Sequence, residues 1–417
     1  MKISNTKALI FALSRRALFV LLLFTALPGM LRAQDDNVPP SDSLNQDLWY
    51  QLGKRAASRP DKQSIERAIG YFRKAIDVNP GDPAPYLAMA EAYIDGIWYY
   101  GLDFSLVDSA ITAAACALSL DSSSADAYRA LSRLYHARGD ESKNIDVLER
   151  AIVRFASNSW FSFELGNAYL REGRPVRAIR SLNRAMALDS IAEISLRLGW
   201  AYLDLAEYSR AESLFTSYID SAPEIADGHH GLGLSLICRE KADQAVAHYM
   251  ELERTRSLGS RMRCQYAEAM IFADMAEEAL PYLEELEMND PWSVPASAVR
   301  SASTLLGYVY WKKGEKEKAK KIFDRVLEEI PKRIGYGNRQ WELRYEMASI
   351  YALLGDRPRA YEWLEKAVQR HWLLYPLALE DPFFADLRGF RAFRSIIGNV
   401  KQTVERMRAE LNAGPTQ

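Results

Sequence analysis

The chain has 417 residues, of which 48% are hydrophobic and 26% are charged, and this composition excludes a disordered chain. The formal net charge is −2, and removal of the five positive charges of residues 1–33 leaves −7, so charge gives no basis for binding nucleic acid or an anionic membrane. The three cysteines are an odd and low number, which argues against a disulfide framework.

Residues 1–33 have the order of features typical of a secretory signal peptide. Four basic residues precede an apolar run of eleven at residues 17–27, and Ala33 is a small residue before an acidic stretch. The run is short for a membrane span. The first 115 residues contain no cysteine, so no cysteine is present there to carry a lipid anchor. This segment resembles the amino termini of proteins exported by Gram-negative bacteria. We therefore expect a periplasmic protein; secretion, and an uncleaved anchor in the inner membrane, are the alternatives.

Residues 34–48 are polar, contain Pro39-Pro40 and are predicted to form a linker. The pattern that organises the rest of the chain is clearest at Leu198-Gly199-Trp200-Ala201-Tyr202. Leu198 and Tyr202 are four residues apart and share a helix face, while Gly199 lets a second helix come close. A second helix then supplies a small residue and, one turn later, an aromatic residue. A proline follows that helix. These three are Ala211, Phe215 and Pro223.

The same positions recur along the chain at intervals of 33 or 34 residues. The small residue of the second helix is predicted at Ala110, Asn144, Ala178, Ala211, Ala245 and Ala279. Further prolines are predicted to end units at Pro80, Pro291 and Pro331. Nine units are predicted, beginning near Trp49, Pro83, Ala125, Ser159, Ala192, Ala226, Ser260, Arg300 and Trp341.

This spacing resembles the tetratricopeptide repeat over residues 49–372. The resemblance implies an all-α fold: a right-handed α-α superhelix of about nine helix hairpins, a solenoid with a concave groove lined by the first helices. Longer joints are predicted at Gly96 to Ser105, which carries the aromatics Trp98, Tyr99 and Tyr100, at residues 290–295, and at a turn over residues 335–338.

Residues 373–417 are predicted to form a carboxyl-terminal cap and tail. Asp381-Pro382-Phe383-Phe384-Ala385-Asp386-Leu387-Arg388 resembles a D-P-x-F-x-x-L-R element that follows such arrays in bacterial proteins, with Phe390 where a proline is usual. A Phe-rich segment followed by a helix would cover the exposed face of the last repeat, which solenoids require for solubility. The charged residues 404–410 are expected to face water.

No pattern of catalytic, metal-binding or cofactor-binding residues stands out. The five histidines and three cysteines lack metal-ligand spacing, and Gly228, Gly231 and Gly233 follow no predicted strand, so a phosphate-binding loop is not supported. We therefore predict that the protein is not an enzyme and uses no cofactor or metal.

The resemblance implies that ligands bind at positions 2, 5, 9 and 12 of each first helix. The groove residues predicted in this way are Arg129, Arg133, His136, Trp160, Phe163, Asn167, Trp200, His230, Tyr308 and Trp311. Aromatic residues and arginine are also the residue types enriched at binding hot spots. The alternative for each aromatic is packing between adjacent helices. Asn167 lacks the lysine and asparagine partners of the family's carboxylate clamp, so a carboxylate-clamp ligand is not expected.

The leading hypothesis is a non-enzymatic scaffold that binds a protein or peptide partner in the groove, with no nucleic acid and no stable membrane span after signal cleavage. A structural subunit of a cell-envelope complex, docking through its convex face or cap, is one alternative. An enzyme with an unrecognised loop-borne site is another. The oligomeric state, the identity of the partner and any role of the 96–105 aromatic segment in binding stay open.

We predict that the mature protein begins close to Gln34, because cleavage should follow the small residue Ala33. Intact-mass measurement of the protein purified from its native host checks this. A membrane-bound species that retains Met1 would contradict it.

Overall fold

The structure is a computed structural model that describes residues 45–289, 299–335 and 341–414. It divides into two compact units, the first ending at Leu106 and the second beginning at Val107. The predicted signal peptide, most of the predicted linker and the joint at residues 290–295 lie outside the described residues, as does the turn at 336–338.

The described residues contain twenty α-helices and no strand. In the first unit they are α1 (Gln46–Ala57), α2 (Lys62–Val78) and α3 (Pro83–Tyr99). In the second unit the helices before the carboxyl-terminal segment are α4 (Val107–Leu120), α5 (Ala125–Arg138), α6 (Glu141–Arg154), α7 (Ser159–Arg171), α8 (Pro175–Leu188), α9 (Ala192–Asp204), α10 (Tyr208–Ser221), α11 (Ala226–Ile237), α12 (Ala242–Thr255), α13 (Ser260–Phe272), α14 (Ala276–Asn289), α15 (Ala302–Lys312), α16 (Lys316–Gly335), α17 (Trp341–Leu353) and α18 (Arg357–Val368).

The first unit is built around the pair α1 and α2, with α3 packed against both. The side chain of Asn45 caps α1 by accepting a hydrogen bond from the Leu48 amide, so the helix begins within the predicted linker. Trp98 and Tyr99 belong to the end of α3 and not to a joint, and their side chains are 42% and 69% exposed. Their part in binding stays a prediction.

In the second unit, seven antiparallel hairpins follow one another from α5/α6 to α17/α18, and each packs against the next where both are described. We number these hairpins repeats 3 to 9, following the nine predicted units. The predicted small residues of the second helices are all buried, which confirms the register. They are Ala110, Asn144, Ala178, Ala211, Ala245 and Ala279.

The first-helix glycines lie where the two helices of a repeat touch. A Cβ built on Gly199 would come within 2.6 Å of the Phe215 ring, and one on Gly307 within 2.4 Å of Phe323. Phe215 also lies against Gly231, so its ring separates two successive first helices. Each glycine is therefore required by close packing and not by an unusual backbone conformation.

Polar side chains cap the starts of several helices, and a glycine in the left-handed conformation ends α5. The Ser124 side chain accepts from the Ala127 amide at the start of α5, and Gly139 ends that helix with φ of +76°. Asp140 then caps α6 by accepting from the Lys143 amide. The prediction that Pro331 ends a unit was wrong, because α16 continues through it to Gly335.

The carboxyl-terminal segment, residues 369–414, consists of α19 (Tyr375–Glu380), a 3-10 helix (Pro382–Leu387) and α20 (Arg391–Asn412). It contacts more than the last repeat. The 3-10 helix packs on α17, α19 packs on α11, and α20 packs on both α18 and α8. In addition to the last repeat, which the sequence predicted it to cover, the segment reaches back to repeats 4 and 6.

The sequence predicted that residues 404–410, at the end of α20, face water. Several of these residues instead contact the repeats. Val404 is buried, Arg408 pairs with Glu207, and Glu410 lies 3.5 Å from Arg180. Within the described ranges, none of the helices combines the length and the apolar character needed to span a membrane.

We expect Gly199→Ala to cost about 1–3 kcal/mol of stability, because the added methyl group forces the buried Phe215 ring to move. Gly398→Ala in α20 is a matched control, since nothing lies within 4 Å of its Cβ position. Replacing that helical glycine should be neutral or stabilising by about 0.5–1 kcal/mol. Denaturant unfolding of both variants tests this; equal midpoints would show that Gly199 is not a tight contact.

Candidate partner-binding groove

The first helices of successive repeats lie side by side. Contacts join α7 to α9, α9 to α11, α11 to α13 and α13 to α15. Side chains that face away from the second helices therefore share one surface, which we call the groove. The predicted groove residues lie on first helices of the second unit, and their surroundings differ sharply between its two ends.

The end formed by α5 and α7 carries basic and aromatic side chains that remain accessible. The Arg129 guanidinium lies 5.6 Å from the centre of the Trp160 ring and pairs with Asp126 at 2.9 Å. Trp160 packs edge-on against Phe161 and is only partly buried. Arg133, one turn after Arg129, is exposed and has no ion-pair partner among the described residues. An exposed positive charge thus lies one helical turn from the arginine that contacts this partly exposed aromatic surface.

His136 differs from its neighbours because it is tied to its own hairpin. Its Nδ1 lies 3.1 Å from Glu141, which also accepts hydrogen bonds from Asn144 and Arg171. Burial raises the pKa of Glu141, but the bonds from His136 and Arg171 outweigh it and bring the pKa to about 2. Glu141 is therefore ionised at neutral pH, and His136 helps to join α5 to α6.

Phe163 and Asn167 are partly buried on α7, and the Asn167 side-chain oxygen has no hydrogen-bond partner within the described residues. Trp200 on α9 packs edge-on against Phe215 at 5.3 Å and lies 5.6 Å from the His230 ring. Trp200 therefore packs partly between adjacent helices, which was the alternative to partner binding for each predicted aromatic.

The remaining predicted groove residues lie towards the carboxyl-terminal end. His230 is 5% exposed, and burial lowers its pKa to about 3. Tyr308 is 3% exposed because Phe383 covers its ring at 4.6 Å. These two cannot meet a partner in this conformation. Trp311 is partly exposed, with the Lys316 ammonium 3.5 Å from the centre of its ring.

Phe383 belongs to the carboxyl-terminal segment, which occupies the groove over the last repeats. Its anchor is Arg300, which is fully buried and pairs with Asp381 and, at 3.3 Å, with Glu268. Tyr345 donates to the same Asp381 carboxylate at 2.8 Å. The Arg300 guanidinium also lies 4.3 Å from the centre of the Phe383 ring. Charge pairing, hydrogen bonding and ring stacking therefore hold this segment in place.

Repeats that are distant in sequence also approach each other in the second unit. His371, which follows α18, lies against Gly173 in the turn between α7 and α8 of repeat 4. Burial raises the pKa of Asp204 on α9 to about 8, and the charge of Glu342 on α17 contributes to that rise. Burial likewise raises the pKa of Glu342 to about 7. Repeat 9 and the residues directly after it thus return to repeats 5 and 4, which the linear repeat pattern did not reveal.

The groove offers little for chemistry. No three His, Cys, Asp or Glu side chains in the described ranges converge as metal ligands. Cys238 and Cys264 are buried, and burial raises the pKa of Cys238 to about 12. A thiol with that pKa is protonated at neutral pH and is a poor nucleophile.

We expect Asp381→Asn to destabilise the second unit by about 3–5 kcal/mol, because it leaves the buried Arg300 charge without its closest partner. The double variant Arg300→Met, Asp381→Asn should recover a large part of that loss. Denaturant unfolding of the single and double variants measures the coupling. Additive losses in the double variant would contradict an anchoring role for this pair.

Comparison with known proteins agrees with the repeat pattern. The tetratricopeptide repeat family matches residues 163–225 and 196–257, and a second tetratricopeptide repeat description matches residues 301–333. No curated protein sequence matches the chain.

Three solved structures are among those with similarity to the chain. A tetratricopeptide repeat protein from Parabacteroides merdae is 13% identical, with a TM-score of 0.48, over 63% of this chain and 98% of that one. YrrB, described as a tetratricopeptide repeat protein with an unusual peptide-binding site, is 22% identical, with a TM-score of 0.38, over 50% and 96%. PilW, a type IV pilus biogenesis factor, is 15% identical, with a TM-score of 0.43, over 51% and 95%. From the family matches and the hairpin architecture, the chain carries tetratricopeptide repeats in an all-α solenoid.

Proposed function

We propose that this protein is a non-enzymatic scaffold that binds an extended segment of a partner protein on α5, α7 and α9. One observation supports this most directly. Arg133 is exposed and lies one turn after Arg129, whose guanidinium is 5.6 Å from the centre of the partly exposed Trp160 ring. Over the last repeats, by contrast, the carboxyl-terminal segment already fills the groove. Stacked helical repeats provide extended concave surfaces of this kind for binding.

The chemistry of this surface suggests the kind of segment it would accept. Trp160 and Phe163 are rigid aromatic anchors that bury much area for little loss of side-chain freedom. Arg129 already has Asp126 as its partner, but Arg133 offers a guanidinium without one. We therefore propose a segment with aromatic or aliphatic side chains and an acidic residue at one end. The sequence features of residues 1–33 lead us to propose further that the encounter takes place in the periplasm.

The test is site-specific photocrosslinking in the native host. A photoreactive phenylalanine analogue at Phe163 should capture one defined polypeptide. The matched control is the same analogue at Val153, which is 82% exposed on the second helix of the preceding repeat. If the analogue at Val153 captured as much partner as the analogue at Phe163, the result would contradict binding in the groove.

We expect Trp160→Ala to weaken binding of the captured partner by about 30-fold, since loss of a central aromatic anchor costs roughly 2 kcal/mol. Arg133→Glu should slow association and reduce its salt dependence, because it reverses the charge that steers an acidic segment. Arg391→Glu, a charge reversal at an exposed position at the start of α20, is the control. Association rates measured at two salt concentrations test both effects, and circular dichroism checks that each variant is folded. Unchanged binding in both groove variants would reject the proposed site.

A further inference from the structure

Two histidines join the helices of repeat 6. His229 Nδ1 on α11 lies 2.9 Å from His248 Nε2 on α12, and the two rings are 5.1 Å apart. His229 Nε2 lies 2.9 Å from the Pro223 carbonyl oxygen in the preceding turn. Arg256, the residue after α12, brings its Nη2 within 3.0 Å of the same nitrogen. One imidazole therefore links two helices and the turns on either side of them.

We propose that the His229–His248 pair is an acid-sensitive joint that holds repeat 6 closed at neutral pH and lets it open locally as the pH falls. The hydrogen positions explain the sensitivity. A bond between two imidazole nitrogens needs one N–H donor and one nitrogen without a proton. When both rings are protonated, all four nitrogens carry hydrogen and that bond is lost.

The charges around the pair oppose even the first added proton. The groups that face it are His229 itself on α11, His248 and the Tyr249 ring on α12, and Glu224 and Arg256 in the flanking turns. Arg256 is the permanent cation in direct contact with His229. Its counter-ion is Glu224 at 3.0 Å, but that carboxylate is 82% exposed and is therefore screened by water.

The direction of the pH effect follows from these surroundings. Burial lowers the pKa of both histidines, and the Arg256 charge lowers them further, to about 4 for His248. A folded-state pKa below the unfolded value means that the unfolded chain binds more protons. The contribution of the pair to stability is therefore complete above about pH 6.5 and is lost as the pH falls towards 4.

The joint is next to the centre of the groove. His230 follows His229 in α11, and its ring lies 5.6 Å from Trp200 on α9. Opening of repeat 6 would therefore remove a packing partner from α9, one of the three helices of the proposed binding surface. The acid sensitivity of the joint depends on the contacts of His229 and His248, and it does not require that surface to bind a partner.

Hydrogen exchange of the full chain, followed by mass spectrometry at several pH values and corrected for the intrinsic exchange rate, tests the proposal. A local readout is needed because Asp204 and Glu342, whose pKa values are raised, act in the opposite direction elsewhere in the unit. Between pH 7.5 and 5 we expect exchange in residues 223–256 to rise at least tenfold more than in residues 125–154.

Two variants separate the joint from general acid destabilisation. His248→Gln retains an amide that can bond His229 but cannot take up a proton in this range, so the pH-dependent rise should shrink markedly. Arg256→Gln removes the neighbouring cation and should also flatten the response. His136→Gln, in repeat 3, should leave the pH-dependent rise within residues 223–256 unchanged. A uniform rise in all repeats, or the wild-type response in both His248→Gln and Arg256→Gln, would overturn the proposal.

Discussion

The close contact between a first-helix glycine and a second-helix aromatic ring is the interaction on which the repeats depend. Phe215 shows why, because its ring fills the space left by both Gly199 and Gly231. A single buried side chain thereby sets the distance within one hairpin and the distance to the next. Since protein interiors are close-packed, a methyl group added at either glycine must displace that ring. The same contact recurs between Gly307 and Phe323.

Hairpins built in this way leave a groove, and in the second unit the chain itself fills one end of it. The carboxyl-terminal segment places Asp381 on the buried Arg300 and Phe383 on Tyr308. Removing a guanidinium and a carboxylate from water is costly, and the cost is offset here by additional partners in Glu268, Ser349 and Tyr345. Such a network favours one arrangement of the segment, because any other would take the Asp381 carboxylate away from the buried Arg300.

This division of the groove limits the proposed function to its open end. Arg133, Trp160 and Phe163 are available, whereas His230 and Tyr308 are enclosed by neighbouring side chains. The joint at His229 and His248 belongs to repeat 6, the repeat that also carries the enclosed His230. The open end can therefore be tested by crosslinking and the joint by local exchange, and neither result presupposes the other.

The sequence by itself determined the helical hairpins, their register and the starts of most repeats, because those features follow from local spacing. A glycine, a small residue and an aromatic at fixed intervals specify one contact that is repeated. The candidate groove positions, in contrast, came from the resemblance to the repeat family, and they stay predictions.

The tertiary structure alone decided which groove positions remain open. The sequence motif around Asp381 and Phe383 indicated a cap, but its reach to α11 and α8 depends on how far the repeats curve before the segment meets them. Curvature accumulates from small rotations at every interface and leaves no local pattern to read. The pairing of Arg300 with Asp381, and of His229 with His248, likewise joins residues that only packing brings together.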